Sequence, residues 1–282
     1  MARMTDGIIV GYDGSPGSDL ALRWAAREAS ERGVMLTICH AWAPEDLSLL
    51  IEPPLFEQAR QRGEEIVDQG LRYVEPIVGA DGAEKLLVGG SAARVLCEHS
   101  QTAGMVVVGS RGRGRLAGVL LGSVAWQLAG HGQGRIVIVR GTGRPANRAP
   151  GPVVAGVDGS AAARAVLEFA AEEAALRRVP LVAVCALADA PGSLGGARQL
   201  EEEFSSLMTT WEKEHPDVTV LRHVTDSSPR TALLEAAAAA QMLVVGSRGR
   251  GGVRGMTLGS VTSGLLHHAP CTVGIVRQSP AE

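Results

Sequence analysis

The chain has 282 residues, of which 45% are hydrophobic and 20% charged, and this excludes disorder along its whole length. The length suits one large domain or two of about 140 residues, either of which can bury a core. A near balance of 27 basic and 30 acidic residues, net −3, together with 3% aromatics, excludes a basic nucleic-acid footprint and a base-stacking platform.

The first residues, MARMTDGIIVGYDGS, carry no apolar h-region and are read as lacking a signal peptide. Ile8–Asp13 is a short apolar run ending in Asp-Gly, hence a buried strand. Ser15 is a helix N-cap candidate with Pro16 at the first helical position. Ala21, Trp24, Ala25 and Ala29 then recur at helical spacing, and Gly33 closes the helix. Leu36–Trp42 is a second strand, Glu57–Val74 a helix, and Lys85–Gly89 a third strand. Ala92–Gln101 is helical, Met105–Gly109 a fourth strand, Ser123–Ala129 the start of a helix, and Arg135–Arg140 a fifth strand. No apolar run reaches about 18 residues, so no membrane span is expected. The four scattered cysteines form no Cys-x-x-Cys pair and read as reduced, mostly core residues of a cytoplasmic protein.

The sequence then repeats itself. GYDGS at 11–15 returns as GVDGS at 156–160, and the register holds without a gap from Gly14–Trp42 to Gly159–Leu187 at an offset of 145. MVVVGSRGRGRLAGVLLGSV (105–124) returns as MLVVGSRGRGGVRGMTLGSV (242–261) at an offset of 137, with 14 of 20 positions identical. Copy two is therefore eight residues shorter, with the loss between about 43 and 80. The reading is two tandem domains, 1–140 and 152–282, joined by the Gly/Pro/Arg-rich linker 141–151. Strands of the second copy are expected near 153–158, 181–187, 219–225, 242–246 and 272–277, with Ser160 as its helix cap.

Alternating strands and helices predict an α/β fold: two open parallel five-stranded sheets of order 3-2-1-4-5, with helices on both faces. In that order ligands bind beyond the carboxyl ends of strands 1 and 4, where the topology switches. Asp13 ends the first strand and Gly109 the fourth, so the two unusual motifs converge on that crevice. The fifth strands fall at sheet edges, and their apolar character invites pairing between the domains and leaves a homodimer open.

At that crevice Gly109-Ser-Arg-Gly112 is followed after nine residues by Gly122-Ser123. Copy two carries Gly246-Ser-Arg-Gly249, nine residues, then Gly259-Ser260. Glycines let backbone N–H groups face a ligand, and a helix start favours an anion. Arg111, Arg113 and Arg115 add positive charge in the first loop; Arg248, Arg250 and Arg254 do so in the second. The pattern reads as a phosphate cradle. It is neither Walker A nor the Rossmann fingerprint, because no GxxxxGK[ST] occurs and the glycines follow the fourth strand.

This Gly-2x-Gly-9x-Gly-Ser spacing, carried twice, resembles the ATP-binding tandem universal stress proteins common in actinobacteria, over nearly the whole chain. The resemblance implies a Rossmann-like universal stress protein fold and two ATP sites, with Mg²⁺ accompanying the nucleotide and no direct protein ligand to metal. It places Asp13 against the adenosine, with Gly11, the backbone of Ala41 and the loop near Gly109 at the same end. Gly112, Gly122, Ser123 and Val124 would hold the triphosphate. In copy two the roles fall to Gly156, Asp158, Ala186, Gly246, Gly249, Gly259, Ser260 and Val261. A carboxylate at a strand end also serves as a plain helix cap, and that role stays open for Asp13 and Asp158.

No catalytic constellation accompanies the loops. There is no Gly-x-Ser-x-Gly elbow, no histidine pair at i,i+4, and no Glu or His in either glycine loop to orient water. The reading is an ATP-binding stress-response protein with slow hydrolysis at most, working through an unidentified regulatory partner. A slow ATPase or a nucleotidyl-transferring enzyme is one alternative, although SGGxDS, HIGH and KMSKS motifs are absent. A non-nucleotide interaction scaffold is the other.

Overall fold

The computed structural model describes residues 7–42, 53–112, 121–141, 151–188, 193–250 and 257–277. The chain divides into two compact units, Met1–Arg140 and Gly141–Glu282. Unit one runs β1 (Ile8–Gly11), α1 (Pro16–Arg32), β2 (Leu36–Ala41), α2 (Pro53–Val78), β3 (Ala83–Val88), α3 (Ala92–His99), β4 (Met105–Gly109), α4 (Ser123–His131), β5 (Gly134–Val139). Unit two runs β6 (Val153–Gly156), α5 (Ala163–Arg177), β7 (Leu181–Ala186), α6 (Ser193–Glu214), β8 (Val220–Thr225), α7 (Pro229–Ala237), β9 (Met242–Gly246), α8 (Ser260–His268), β10 (Thr272–Arg277).

Within unit one the strands are all parallel, in the order β3-β2-β1-β4-β5. Within unit two they follow the same plan, β8-β7-β6-β9-β10. In unit one, α1 and α2 pack together on one face, while α3 and α4 pack together on the other. Strands covered on both faces read as unbroken apolar runs. Accordingly IIVG of β1 and MVVVG of β4 are buried except at their final glycines. Among the described residues no helix is long and apolar enough to cross a membrane.

Boundaries differ from the sequence expectation by a few residues, for local reasons. β1 ends at Gly11 rather than Asp13. Tyr12 N still donates to Cys39 O at 2.9 Å, but Asp13 N turns away to Ser18 Oγ at 3.3 Å. β3 begins at Ala83, two residues early, because Leu36 and Thr37 of β2 pair with Ala83 and Glu84. The offset of 137 already holds through α2 and α6, where Gly63, Val67 and Val74 and their counterparts Leu200, Phe204 and Trp211 are all buried. The eight-residue loss therefore lies ahead of Gly63 and Leu200, in a stretch that includes residues 43–52, outside the described ones.

The first turn of α1 is unusually close to the end of β4. Ser15 caps it in a reciprocal box, its Oγ accepting from Ser18 N at 3.2 Å while Ser18 Oγ accepts from Ser15 N at 3.0 Å. A Cβ on Gly17 would stand 2.0 Å from Arg111 O, and one on Gly109 would stand 2.4 Å from Gly17 O. Both glycines are required by backbone-to-backbone proximity. Copy two has Ala162 at the position of Gly17. Its methyl cannot enter such a gap, and α5 starts later, with Ala162 itself as an N-cap in αR conformation making no side-chain bond. Ser160, expected as the second cap, therefore does not cap its helix.

This geometry reverses a propensity argument. Gly→Ala inside a helix is ordinarily worth up to about 1 kcal/mol of stabilisation. Gly17→Ala is expected instead to destabilise unit one by about 1–3 kcal/mol, because the methyl meets a backbone carbonyl. Urea unfolding measures it, and a neutral or stabilised variant would refute the close approach.

Candidate functional site

A cleft of about 280 Å³ opens beyond the carboxyl ends of β1 and β4 in unit one. The end of β1 and its turn bring Gly11, Tyr12, Asp13 and Ser18; the end of β2 brings Cys39, His40 and Ala41. Val108, Gly109, Arg111 and Gly112 come from β4 and its loop, and Gly122, Ser123, Val124 and Ala125 from the start of α4. Ala92 and Leu96 of α3 complete the wall. Nine residues singled out from the sequence meet here: Gly11, Asp13, Ala41, Gly109, Arg111, Gly112, Gly122, Ser123 and Val124. Arg113 and Arg115 lie outside the described residues.

The start of α4 is where backbone donors gather. Gly122 is its N-cap, with extended φ −72° and ψ 156°, and no side chain caps the turn. Its own N–H donates to Ser110 O at 2.8 Å, which tethers the helix start to the glycine loop. The first-turn N–H groups therefore sit at the positive end of the helix dipole without a protein side-chain acceptor. Unit two repeats this: Gly259 is the N-cap of α8 at φ −70°, ψ 152°, again without a side-chain cap, and its N–H donates to Ser247 O at 2.9 Å.

Asp13 stands between the strand end and the glycine loop. Its Oδ1 accepts from Ser15 N at 3.0 Å, closing a small Asx turn ahead of the helix that Ser15 caps. The carboxylate is thus not the N-cap. Its other oxygen faces Gly112, where a Cβ would stand 2.7 Å away. Asp158 takes the same place in unit two, accepting from Ser160 N at 3.0 Å, and there its Oδ2 also accepts from Arg250 N of the glycine loop at 3.0 Å. A Cβ on Gly249 would stand 2.4 Å from that Oδ2. The space denied to a side chain at Gly112 and Gly249 is therefore taken by a carboxylate, rather than reserved for phosphate alone.

Gly11 has a packing reason. A Cβ there would lie 2.9 Å from Leu96 Cδ1, so α3 is seated on the strand end. Gly156 meets Leu233 and Val245 in the same way, each at 3.1 Å. Ala186 ends β7 and Gly246 ends β9, with Arg248 and Gly249 following; Ser260 and Val261 open α8. Arg254 lies outside the described residues.

Sequence patterns missed Tyr12, Ser18, His40, Ala92 and Leu96. His40 is buried, and its Nδ1 stands 2.7 Å from Tyr12 O, so the Nδ1–H donates to that carbonyl. It could have been suspected only from its place beside Ala41 at a strand end. Cys39 lies in the floor, where burial pushes its thiol up to about 12. Burial, followed by the nearby Asp158 and Glu201 carboxylates, raises Cys185 to about 11. Neither is poised as a nucleophile.

The contact between Gly249 and Asp158 has a measurable signature. Gly249→Ala is expected to cost about 1–3 kcal/mol, and most of that cost should vanish in the Asp158→Ala background, because the two groups contest one space. A double-mutant cycle by chemical denaturation reads the coupling; strict additivity would contradict it.

The family model for the universal stress protein family matches residues 4–140 and again 151–277. A universal stress protein of Mycolicibacterium smegmatis is 37% identical over 285 residues, covering 96% of this chain and 97% of that protein. One from Mycobacterium tuberculosis strain H37Rv is 35% identical over 287 residues and covered to 97% on both sides. The crystal structure of a universal stress protein from Archaeoglobus fulgidus covers 99% of this chain and all of that one, with a TM-score of 0.76 at 19% identity, a likeness of fold. With two matched repeats on two copies of one parallel α/β plan, the chain belongs to the universal stress protein family.

Proposed function

We propose that each unit binds one ATP beyond the carboxyl ends of its first and fourth strands, and that the chain acts as a nucleotide-dependent regulatory protein. The observation that carries this reading is the pairing of an uncapped helix start with a strand-end carboxylate across a glycine loop, present in both units. The triphosphate would lie along Gly112 and the first turn of α4, where N–H donors and the dipole meet negative charge. The adenosine would take the apolar side of the cleft near Ala41, Ala92 and Leu96, with Asp13 accepting from the ribose hydroxyls. Arg111 and Arg248 supply nearby positive charge.

Mg²⁺ would arrive on the phosphates. Water would complete its shell, because Mg²⁺ held by phosphates keeps several of its waters. Turnover is proposed to be slow. Among the described residues lining the cleft there is no Glu or Lys, and the imidazole of His40 is engaged with Tyr12 O. Hydrolysis needs a group that orients water, and the cleft's carboxylate, Asp13, accepts from Ser15 N and is assigned to the ribose.

Calorimetry with ATP is expected to give two equivalents per chain. Asp13→Ala and Asp158→Ala should each weaken one of them by about ten- to hundredfold, the loss of one charged hydrogen bond. Unchanged affinity in both variants would reduce the carboxylates to loop braces. Mass spectrometry of nucleotide carried through purification separates an ATP binder from a scaffold, and phosphate or pyrophosphate release separates it from an enzyme.

A further inference from the structure

Unit two holds an ion pair beside its glycine loop. Arg250 Nη1 lies 2.7 Å from Glu203 Oε2 on α6. The pair sits over the β6–α5 turn: a Cβ on Gly159 would stand 3.1 Å from Arg250 Nη1 and 3.2 Å from Glu203 Oε2. The backbone N–H of Arg250 is simultaneously bound to Asp158 Oδ2. Arg250 is thus held at both ends within the loop whose twin lines the cleft of unit one. Glu203 is itself positioned, its Oε1 accepting from Gln199 Nε2 at 2.8 Å. The Gln199 amide and then Arg250 hold its carboxyl below the ordinary value.

Unit one has no carboxylate at the matching place. Leu36 pairs with Ala83 and Leu181 with Val220, so the strands after α2 and α6 keep the offset of 137. The buried pairs Val67 and Phe204, and Val74 and Trp211, carry that offset through the helices. The same register sets Ile66, which is buried, opposite Glu203. The duplicated glycine loops are nearly identical, but α2 carries Ile66 at the register position where α6 carries Glu203.

We propose that Glu203 determines the affinity of the second nucleotide site by competing with the phosphates of ATP for the guanidinium of Arg250. This rests on the reading of the glycine loops as ATP sites. A carboxylate and a phosphate are alternative partners for one guanidinium. Bringing a triphosphate to Arg250 while Glu203 remains beside it sets like charges together, which opposes binding. A nucleoside without phosphates escapes that competition. The two sites of the chain are therefore inequivalent, and the inequivalence is specific to phosphate-bearing ligands.

Calorimetry on the full chain with ATP and with adenosine tests this. In Glu203→Gln, one of the two ATP equivalents should tighten by about two- to fivefold, as expected for releasing a partly exposed ion pair. The other equivalent and the adenosine affinity should not move. Glu203→Ile, which installs the residue type of unit one, should act in the same direction, and in the Arg250→Ala background Glu203→Gln should tighten ATP by much less, because only like-charge repulsion is then relieved. Unchanged or weaker ATP binding in both Glu203 variants would overturn the inference. So would equal tightening for adenosine, or tightening that persists undiminished without Arg250. Two ATP equivalents untouched by Glu203 would sink this inference alone; no ATP binding by either unit would sink the proposed function with it.

Discussion

The unit-one site depends on two segments being allowed to touch backbone to backbone. Gly17 and Gly109 leave no room for a Cβ between the first turn of α1 and the end of β4. Because they touch, the loop after β4 is set back toward β1, and Gly112 comes to rest against the Asp13 carboxylate. The start of α4 is in turn tied to that loop through Ser110 O. A glycine loop and a helix N-terminus are then held on one cleft by main-chain contacts, and the Asp13 carboxylate is set against them.

Duplication preserved this plan while changing what surrounds it. Ala162 replaces Gly17, so α5 begins later and lacks the reciprocal serine cap that fastens α1. Val157 and Cys185 stand where unit one has Tyr12 and His40, removing the imidazole-to-carbonyl bond from the second copy. Phe204 and Trp211 fill the α6 interface where α2 has Val67 and Val74. Strand ends and glycine loops keep their glycines in both copies, because a Cβ there would meet a backbone oxygen, a carboxylate or a packed side chain. Helix faces can trade volume and charge, because their neighbours are side chains able to repack.

The order of elements was legible because unbroken apolar strands and helical spacing are local signals. Met105–Gly109 and Pro16–Arg32 follow directly from such patterns, and Gly33 ends α1 at φ +65°, as a left-handed cap requires. The cleft residues in the two glycine motifs were legible from spacing together with the strand order. His40 and Leu96 were not. They reach the cleft because β2 lies beside β1 and α3 is seated on Gly11, and neither fact leaves a periodic trace.

By itself the sequence determined the duplication, the parallel α/β plan, and the meeting of the Asp13 and Gly109 motifs at the switch in strand order. Those conclusions need only local periodicity and the rules of chain connection. Tertiary structure alone decided that Asp13 braces a loop instead of capping a helix, that Ser160 caps nothing, and that Arg250 is held by Glu203. Each of these depends on which atoms of distant segments come within about 3 Å. A one-residue change in backbone approach, such as Gly17 against Ala162, alters that outcome without altering the pattern from which the fold is read.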